Sequence, residues 1–339
     1  MGILGKKTTY RQIAEETGLS IATISRIITG SSNVNKDTRE KVVQALLKIG
    51  IDNDIPKIKE KSKGGLIIFN IPSFENPFYA QIMTGAKDAA IRRGYQLLIH
   101  EEHINDSTIE NFLALLQKTA AVGLITTNHV SPPLLRRICL TNIPLVQCCE
   151  YDPDFDIPYV SIDDVASTKT AMEYLFSLGR RKIAFINGPI RYKYARERLR
   201  GYQEYLKKSG LEIDNELIVQ LPEISFNLAV FAVADLLKRK TPDSFYCSSD
   251  VLAAATIKAV QRTGLSIPKD IMVVGFDNVE LSLMNTPSIT TISQPKYQMG
   301  FSSCEILAER IVNREIPVRN ILYETELVVR ESTTIKIKS

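Results

Sequence analysis

Side chains able to perform catalysis are sparse in this sequence of 339 residues. The three histidines, His100, His103 and His129, have no metal-ligand spacing to a partner, and no GxSxG, HExxH or P-loop motif is present. Asp163 and Asp164 could be imagined as an acid/base pair, but adjacent residues of a strand point to opposite faces. The residue types therefore predict a protein that is not an enzyme, with no catalytic residues, no bound metal and no cofactor.

A second kind of chemistry, recognition of DNA, is indicated by the stretch Thr9–Thr29, whose second half mixes small, branched and hydroxylated side chains with one arginine, Arg26. A helix that enters the major groove needs such a face, because methyl groups contact thymine, hydroxyls reach phosphates and arginine pairs with guanine. Arg26 is the candidate for guanine. The alternative is an ordinary helical hairpin whose exposed residues only confer solubility.

Two helices around a glycine turn would position these groups. Thr9 is a candidate cap for the first helix, Gly18 supplies the left-handed residue of the turn, and Ser20 is a candidate cap for the second helix. Ile24 then begins an apolar stripe that faces the core, while Ser25 points elsewhere. The stretch thus predicts a helix-turn-helix.

Composition limits the class of protein. Hydrophobic residues make up 44% of the chain and charged residues 24%, which fits a globular protein of more than one domain. No apolar run approaches the roughly 20 residues of a membrane span. The start MGILGKK lacks the apolar core of a signal peptide, so we expect a cytoplasmic protein with no membrane partner. The five cysteines show no CxxC spacing and predict neither a disulfide framework nor a zinc site.

The net charge of +4 is unevenly distributed. Residues 1–63 contain 12 Lys/Arg and 7 Asp/Glu, a net charge of +5, whereas the remaining 276 residues carry −1. A basic terminus is often only a solvated face. Beside a helix-turn-helix it also supplies the attraction to phosphate that DNA binding requires.

The pattern changes character after residue 50. Residues 51–63 lose the apolar period and read as a charged linker. From residue 64 onward, strand-length apolar runs such as Leu66–Ile71 alternate with helical segments in two successive sets. This alternation predicts an α/β fold: two doubly wound lobes with parallel sheets, preceded by a small all-α head. Such lobes bind ligands in the cleft between them.

These motifs resemble the LacI/GalR family of bacterial transcription regulators, whose effector domain is itself similar to periplasmic sugar-binding proteins. In the head the resembling residues are Gln12-Ile13-Ala14, Gly18-Leu19-Ser20 and Thr23-Ile24-Ser25-Arg26. Beyond the head they include Asn76-Pro77-Phe78-Tyr79, Val273-Val274-Gly275-Phe276-Asp277 and Leu327-Val328-Val329-Arg330. The resemblance covers nearly the whole chain.

The family layout implies a head at residues 1–50, a hinge at 51–63 and an effector-binding and dimerisation domain at 64–339. The domain would comprise an N-lobe of about residues 64–161 and 292–323 and a C-lobe of about residues 162–291 and 324–339.

The resemblance also implies which residues contact DNA. They are Thr9, Tyr10, Ser20, Ile21, Ala22, Thr23, Ser25, Arg26, Thr29, Asn33, Lys57 and Ile58. In the family a hinge helix wedges a leucine into the minor groove, but here Glu60 takes that position and Pro56 lies within the hinge. We therefore expect a weakened or displaced hinge. A helix that starts at Pro56, with Ile58 as the wedge, is the alternative.

Effector contacts are carried over in the same way. Arg198 and Asp277 match the family's arginine and aspartate that grip effector hydroxyls, since a fork of donors and a two-oxygen acceptor hold a polyol at several points. The full set implied is Phe74, Phe78, Ile162, Arg198, Ser249, Asp250, Asp277 and Gln294. Structural roles are the alternatives: Asp250 could cap a helix, Phe78 could belong to the core, and Asp277 could end a strand in a turn.

Basic residues are dense around the predicted arginine contact. They are Arg191, Lys193, Arg196, Arg198 and Arg200. A solvated helix face accounts for most of this charge, and the competing hypothesis is an anionic effector such as a sugar phosphate or sugar acid.

Together the resemblance implies a regulator, specifically a repressor, whose operator affinity is controlled by a small sugar-like effector. The partners expected are near-palindromic double-stranded DNA and a second copy of the chain. No apolar heptads follow the last strand, which favours a dimer over a tetramer. The alternative is the solute-binding protein of a sugar transporter, which would need export and would have no DNA-binding head.

Overall fold

The computed structural model describes residues 10, 12–28, 38, 41–42, 44–45 and 65–334, with the side chains of residues 26–28 outside the description. Two compact units make up the chain, Met1–Gly65 and Leu66–Ser339. Within the described residues, no helix is both long and apolar enough to cross a membrane.

The first unit contains the expected turn between two helices. Residues 12–17 are helical, Gly18 adopts a φ of +71°, and helix α1 follows at Ile21–Ile28. The Oγ of Ser20 accepts a hydrogen bond from the N–H of Thr23 at 3.1 Å, so Ser20 caps α1 as predicted. Among the described residues of this unit, Ile13, Ile24, Val42 and Ala45 form a buried core.

The first lobe of the second unit is built on a six-stranded sheet. Its strands are β1 (Leu66–Ile71), β2 (Gln96–Glu101), β3 (Gly123–Thr126), β4 (Leu145–Cys148), β5 (Tyr159–Ile162) and β11 (Ile321–Tyr323). Their spatial order is β11-β5-β4-β3-β1-β2, and all the pairings are parallel. The helices of this lobe are α2 (Tyr79–Arg93), α3 (Ile109–Lys118), α4 (Pro132–Cys139) and α10 (Lys296–Val312).

The second lobe repeats this arrangement. Its strands are β6 (Ile183–Asn187), β7 (Ile218–Gln220), β8 (Ser244–Cys247), β9 (Met272–Asp277), β10 (Thr290–Ser293) and β12 (Glu326–Val328). The spatial order is β12-β10-β9-β8-β6-β7, and only the β10–β12 pairing is antiparallel among these described strands. The helices are α5 (Asp164–Ser177), α6 (Lys193–Lys208), α7 (Phe226–Arg239), α8 (Asp250–Arg262) and α9 (Glu280–Met284). The predicted α/β class, with a helical head followed by two lobes built on mainly parallel sheets, is confirmed.

The chain passes between the two sheets three times, after Ile162, after Ser293 and after Tyr323. Central strands such as β1, in which five of six residues are buried, are apolar throughout because helices cover both faces of a parallel sheet. This is why their positions could be predicted from sequence.

The interpretation of Asp163 and Asp164 as neighbours on a strand is wrong. Strand β5 ends at Ile162, and Asp163 caps helix α5 by accepting the N–H of Ala166 at 2.9 Å. Asp164 is therefore the first residue of a helix at the carboxyl end of a strand.

Helix α10, which the strand and helix pattern did not predict, packs closely on α2. A Cβ on Gly300 would lie 1.9 Å from the carbonyl oxygen of Ile82, and a Cβ on Gly85 would lie 2.0 Å from that of Tyr297. Any larger residue at either position would collide with backbone. The two glycines therefore allow the helices to approach to a distance that side chains would prevent.

Candidate functional site

The two sheets enclose a cavity of about 790 Å³ at the carboxyl ends of their strands, where open α/β folds bind ligands. Small-molecule sites have volumes of about 300 to 1,000 Å³. Both lobes contribute to the lining. The first lobe supplies Tyr79, Cys149, Glu150 and Ser161, and the second supplies Tyr192, Tyr194, Arg198, Ser248, Ser249 and Asp277, among others.

Arg198, on helix α6, is held on several sides. Its Nε donates to Oδ1 of Asp164 at 2.9 Å, and its Nη1 donates to the carbonyl of Ser248 at 2.7 Å. The guanidinium lies over the ring of Phe276 at 3.4 Å from the centroid. Among the described residues nothing bonds to Nη2. The plane of the fork is therefore fixed while one donor group is left for a ligand.

Asp164 joins two basic residues of helix α6. Its Oδ2 accepts from Nζ of Lys193 at 2.7 Å while Oδ1 accepts from Arg198, and the side chains of Asp164 and Lys193 are both buried. Burial alone would raise the pKa of Asp164, but the charges and hydrogen bonds of Lys193 and Arg198 outweigh it and hold the pKa below its ordinary value. Asp164 is therefore ionised at neutral pH.

Asp277 ends strand β9 with a φ of +108°, a conformation that side-chain-bearing residues rarely adopt. Its Oδ1 accepts from Nε2 of Gln294 at 2.7 Å and lies 3.9 Å from Nη1 of Arg198. Nζ of Lys296 donates to its backbone carbonyl. Burial raises the pKa of Asp277 to about 6, although Arg198 and Lys296 oppose the rise. Oδ2 has no hydrogen-bond partner within the described part of the chain.

Glu150 comes from the first lobe and contacts the second. Its Oε2 accepts the backbone N–H of Lys193 at 2.6 Å, and its Oε1 accepts that of Tyr194 at 3.2 Å. The residue is 4% exposed, and burial raises its pKa to about 7. Glu150 thus satisfies the start of helix α6 from across the cavity.

Aromatic side chains form part of the wall. The rings of Tyr192 and Tyr194 stack with centroids 5.6 Å apart, and Phe78 packs edge-on against Tyr79 at 5.3 Å. The hydroxyl of Tyr192 lies 3.2 Å from Nδ1 of His103 in the first lobe. Aromatic faces suit the apolar side of a flat or ring-shaped ligand.

Six of the eight predicted effector residues line the cavity, and two do not. Those in the lining are Phe78, Ile162, Arg198, Ser249, Asp277 and Gln294. Phe74 lies outside the lining and is 55% exposed, with its N–H bonded to Glu101 at 2.7 Å. Asp250 also lies outside the lining. One of its carboxylate oxygens accepts a hydrogen bond from the Thr291 hydroxyl at 2.6 Å, and the other accepts one from the N–H of Val279 at 2.8 Å.

Two of the predicted residues, Ser249 and Phe78, line the cavity and also have structural roles. Ser249 lines the cavity but also caps helix α8, accepting the N–H of Leu252 at 3.2 Å. Phe78 is 8% exposed and belongs to the hydrophobic core as well as to the wall.

Several residues of the cavity lining were not predicted as effector contacts. They are Glu150, Asp164, Tyr192 and Tyr194. Asp164 could have been found, because it directly follows a strand at the edge where ligands bind. Lys193 was interpreted as part of a solvated helix face, and this is wrong because the side chain is buried against Asp164. The role of Glu150 could not be predicted from the sequence, because its partners are N–H groups at the start of a helix more than 40 residues away.

The head residues are described in part. Ser20, Ile21 and Ala22 are exposed, with Ile21 at 49%, and Thr23 is half-buried with its hydroxyl 2.8 Å from that of Ser20. Tyr10 and Ser25 are also half-buried, and Tyr10 packs on the head core. The remaining predicted contacts lie outside the described residues: Thr9, the Arg26 side chain, Thr29, Asn33, Lys57 and Ile58, and with them Pro56 and Glu60 of the hinge.

Comparison with known proteins agrees with this architecture. Residues 9–50 match the family model of bacterial regulatory proteins of the lacI family, and residues 172–333 match that of the periplasmic binding protein-like domain. The ribose operon repressor of Halalkalibacterium halodurans is 30% identical over 328 residues, which cover 96% of this chain and 97% of that protein. The chain belongs to the LacI family. It is therefore a transcription regulator and not an enzyme.

Other LacI-family proteins match over the same length. The transcriptional repressor CytR of Escherichia coli K12 is 27% identical over 96% of each chain. The structure of the transcriptional regulator CelR–cellobiose complex superposes with a TM-score of 0.74 at 27% identity, over 95% of this chain and 99% of that one. The LacI assignment thus extends over head and lobes, and it favours a regulator over the solute-binding protein of a transporter.

Proposed function

We propose that the chain is a homodimeric repressor whose affinity for a near-palindromic operator is controlled by a neutral, sugar-like effector bound between the lobes. The observation that carries this proposal is the pairing of Arg198 and Asp277 in the cavity. Nη2 of Arg198 and Oδ2 of Asp277 have no partner among the described residues, so a donor and an acceptor are both left for a ligand. Neighbouring hydroxyls of a sugar complement that combination.

The charge of the lining favours a neutral effector over an anionic one. The acidic residues of the lining are Glu75, Glu101, Glu150, Asp164, Glu223 and Asp277, and the arginines are Arg191 and Arg198. Arg198 and the nearby Lys193 are already paired with Asp164. Of the acidic residues, Glu150, Asp164 and Asp277 are buried, whereas Glu75, Glu101 and Glu223 are exposed. A phosphate or carboxylate on the effector would therefore approach three buried carboxyl groups, whose repulsion of an anion is weakly screened.

The names of relatives support a sugar as the effector class. One relative is a ribose operon repressor, and one matching structure is a regulator in complex with cellobiose. The stacked rings of Tyr192 and Tyr194 supply a face for the apolar side of a sugar ring. The proposed effector contacts are Phe78, Ile162, Arg198, Ser249, Asp277 and Gln294.

The head is proposed to read the operator through the start of helix α1. Ile21 and Ala22 are exposed directly after the capping Ser20, the position from which a recognition helix reaches base edges. The proposed set also includes Thr9, Tyr10, Thr23, Ser25, Arg26, Thr29, Asn33, Lys57 and Ile58. The net charge of +5 over residues 1–63 provides the attraction to phosphate.

Control of the operator follows from differential binding. An effector that contacts both lobes binds the closed cleft more tightly than the open one and so shifts the population toward closure. In the proposed layout, residues 51–63 transmit this change from the effector domain at 64–339 to the head at 1–50. Inducers would lower operator affinity and co-repressors would raise it.

Two measurements test the proposal. Calorimetric titration should detect neutral pentoses, hexoses or disaccharides and give weaker binding for their phosphorylated counterparts. Equal or tighter binding of the phosphorylated forms would overturn the neutral assignment. Selection from a random DNA pool with the purified chain should enrich a near-palindrome, and adding the bound sugar should change the affinity for it. Enrichment without symmetry would contradict the dimeric operator.

A further inference from the structure

The start of helix α6 is completed by a residue from the opposite lobe. The first N–H groups of a helix have no partner within the helix, and the N-cap residue Tyr192 makes no side-chain cap. The carboxylate of Glu150, which follows strand β4 of the first lobe, accepts the N–H groups of Lys193 and Tyr194 at 2.6 and 3.2 Å. A negative charge at this end of a helix also interacts favourably with the helix dipole.

The backbone that delivers Glu150 is strained. Cys149 has a φ of +70°, and the N–H of Glu150 bonds to the carbonyl of Cys148 at 2.9 Å, which forms a tight γ-turn of the rare hand. The hydroxyl of Ser161 donates to the carbonyl of Cys149 at 2.8 Å and holds the turn in place. Strain of this kind is retained where the surrounding structure requires one geometry.

We propose that Glu150 is a cross-lobe latch, a positioning residue that caps helix α6 only when the lobes are closed and thereby sets the place of Arg198 in the cleft. The inference rests on the proposed function, because Arg198 is the proposed effector contact on that helix. Opening of the cleft would withdraw the carboxylate and leave two N–H groups to water. Closure, effector binding and order at the start of α6 are therefore linked.

The latch is sensitive to protons. The titratable groups that face Glu150 are Tyr79, Cys149, Asp164, Tyr192, Lys193 and Tyr194. Burial raises the pKa of Glu150 to about 7 even though the N–H and charge of Lys193 act against the rise. In an open cleft the carboxyl would be solvated and its pKa would return to the ordinary range. The closed form then holds more protons, so falling pH favours closure.

The first test needs no effector. Hydrogen exchange of the ligand-free protein, followed in peptides that contain residues 193–194, should be at least about tenfold faster in Glu150→Ala than in the parent chain. Glu197→Ala, which removes an ion pair with Arg200 on the same helix, should leave that exchange unchanged. Unchanged exchange in Glu150→Ala would overturn the latch.

The second test measures how the affinity for a sugar depends on pH. Glu150→Gln keeps one acceptor oxygen and carries no charge, so it imitates the protonated latch and serves also if Glu150→Ala does not fold. For the parent chain, the affinity for the tightest neutral sugar should rise about fourfold from pH 8 to pH 6.5, as the two pKa ranges require. Glu150→Gln should lose that rise, whereas Glu197→Gln, which lies outside the cavity lining, should keep it. A rise of the same size in Glu150→Gln would overturn the linkage.

The two tests separate the latch from the proposed function. If hydrogen exchange responds as expected but no sugar binds, the latch stands and the effector class is wrong. If sugar binds and exchange at residues 193–194 does not respond to Glu150→Ala, the effector proposal stands and the latch is wrong.

Discussion

Nε of Arg198 donates to Oδ1 of Asp164 at 2.9 Å, so the proposed effector-binding arginine is oriented by a carboxylate of its own lobe before any ligand arrives. Asp164 also accepts a hydrogen bond from Lys193, and both basic residues lie in the first two turns of helix α6. A preoriented guanidinium loses little conformational freedom when it binds.

Arg198→Lys should weaken effector binding by roughly tenfold to a hundredfold while leaving operator binding of the ligand-free protein unchanged. Lysine keeps the charge that Asp164 requires but cannot present the planar fork. Calorimetry gives the effector affinity and a gel-shift titration gives the operator affinity. Arg200→Lys, on the exposed side of the same helix, is the matched control and should change neither. Loss of operator binding in Arg198→Lys would show that the residue acts elsewhere.

The free energy of unfolding of the effector unit should fall as pH rises, because Asp250 loses its proton. Burial and the charge of Asp277 raise the pKa of Asp250 to about 8, well above the value expected in the unfolded chain. The folded state therefore holds the proton, and its stabilising contribution is lost as pH rises through about 8. Asp250→Asn cannot titrate; its oxygen still accepts the N–H of Val279, and its amide N–H can donate to the Thr291 hydroxyl, which then accepts.

Urea unfolding followed by circular dichroism at pH 7 and pH 9 checks this. The parent chain should lose stability between these values by more than Asp250→Asn does. Asp235→Asn, at an exposed ion pair on helix α7, should behave like the parent chain. A parent chain and an Asp250→Asn variant with parallel pH profiles would contradict an elevated pKa at this position.

Gly300→Ala should lower the free energy of unfolding by about 1 to 3 kcal/mol or more, because the new Cβ meets backbone that cannot move without separating two helices. The distance to the carbonyl oxygen of Ile82 would be 1.9 Å. Val312→Ala, near the end of the same helix and 79% exposed, should change stability by no more than about 0.5 kcal/mol. Denaturation midpoints provide the comparison, and equal midpoints would show that helices α2 and α10 can separate at little cost.

Two isoleucines of helix α1 should respond in opposite ways. Ile24 is fully buried and packs in the head core with Ile13, Val42 and Ala45, so Ile24→Ala should cost about 2 to 5 kcal/mol and unfold the head. Ile21 is 49% exposed, so Ile21→Ala should leave the head folded and relax the base preference of the operator. Circular dichroism and site selection from a DNA pool distinguish the two outcomes. An unaltered preference in Ile21→Ala would remove this residue from the interface.

Sequence periodicity revealed strands β1 to β9, because helices cover both faces of each sheet, and the head turn, because Gly18 and Ser20 are local signals. Strands β10, β11 and β12, which have three or four residues each, were not predicted. Fewer residues of the site could be predicted from the sequence. Arg198 and Asp277 were reached through a family resemblance, whereas Asp164 and Glu150 act through contacts between distant parts of the chain. Helix α10 was missed because its packing depends on close approach at Gly300, and close approach leaves no periodic pattern in a sequence.

The placement of the last strands bears on how the protein is made. Residues 321–328 supply an edge strand to each sheet, β11 beside β5 and β12 beside β10. Helix α10, which buries Met299 and Leu307 in the core with the first lobe, is also encoded late. A chain emerging from the ribosome would present the first sheet with its α10 face still uncovered until some 300 residues had appeared. Both lobes are therefore completed only when residues 296–328 have been made, and apolar surface of the first lobe stays exposed until then.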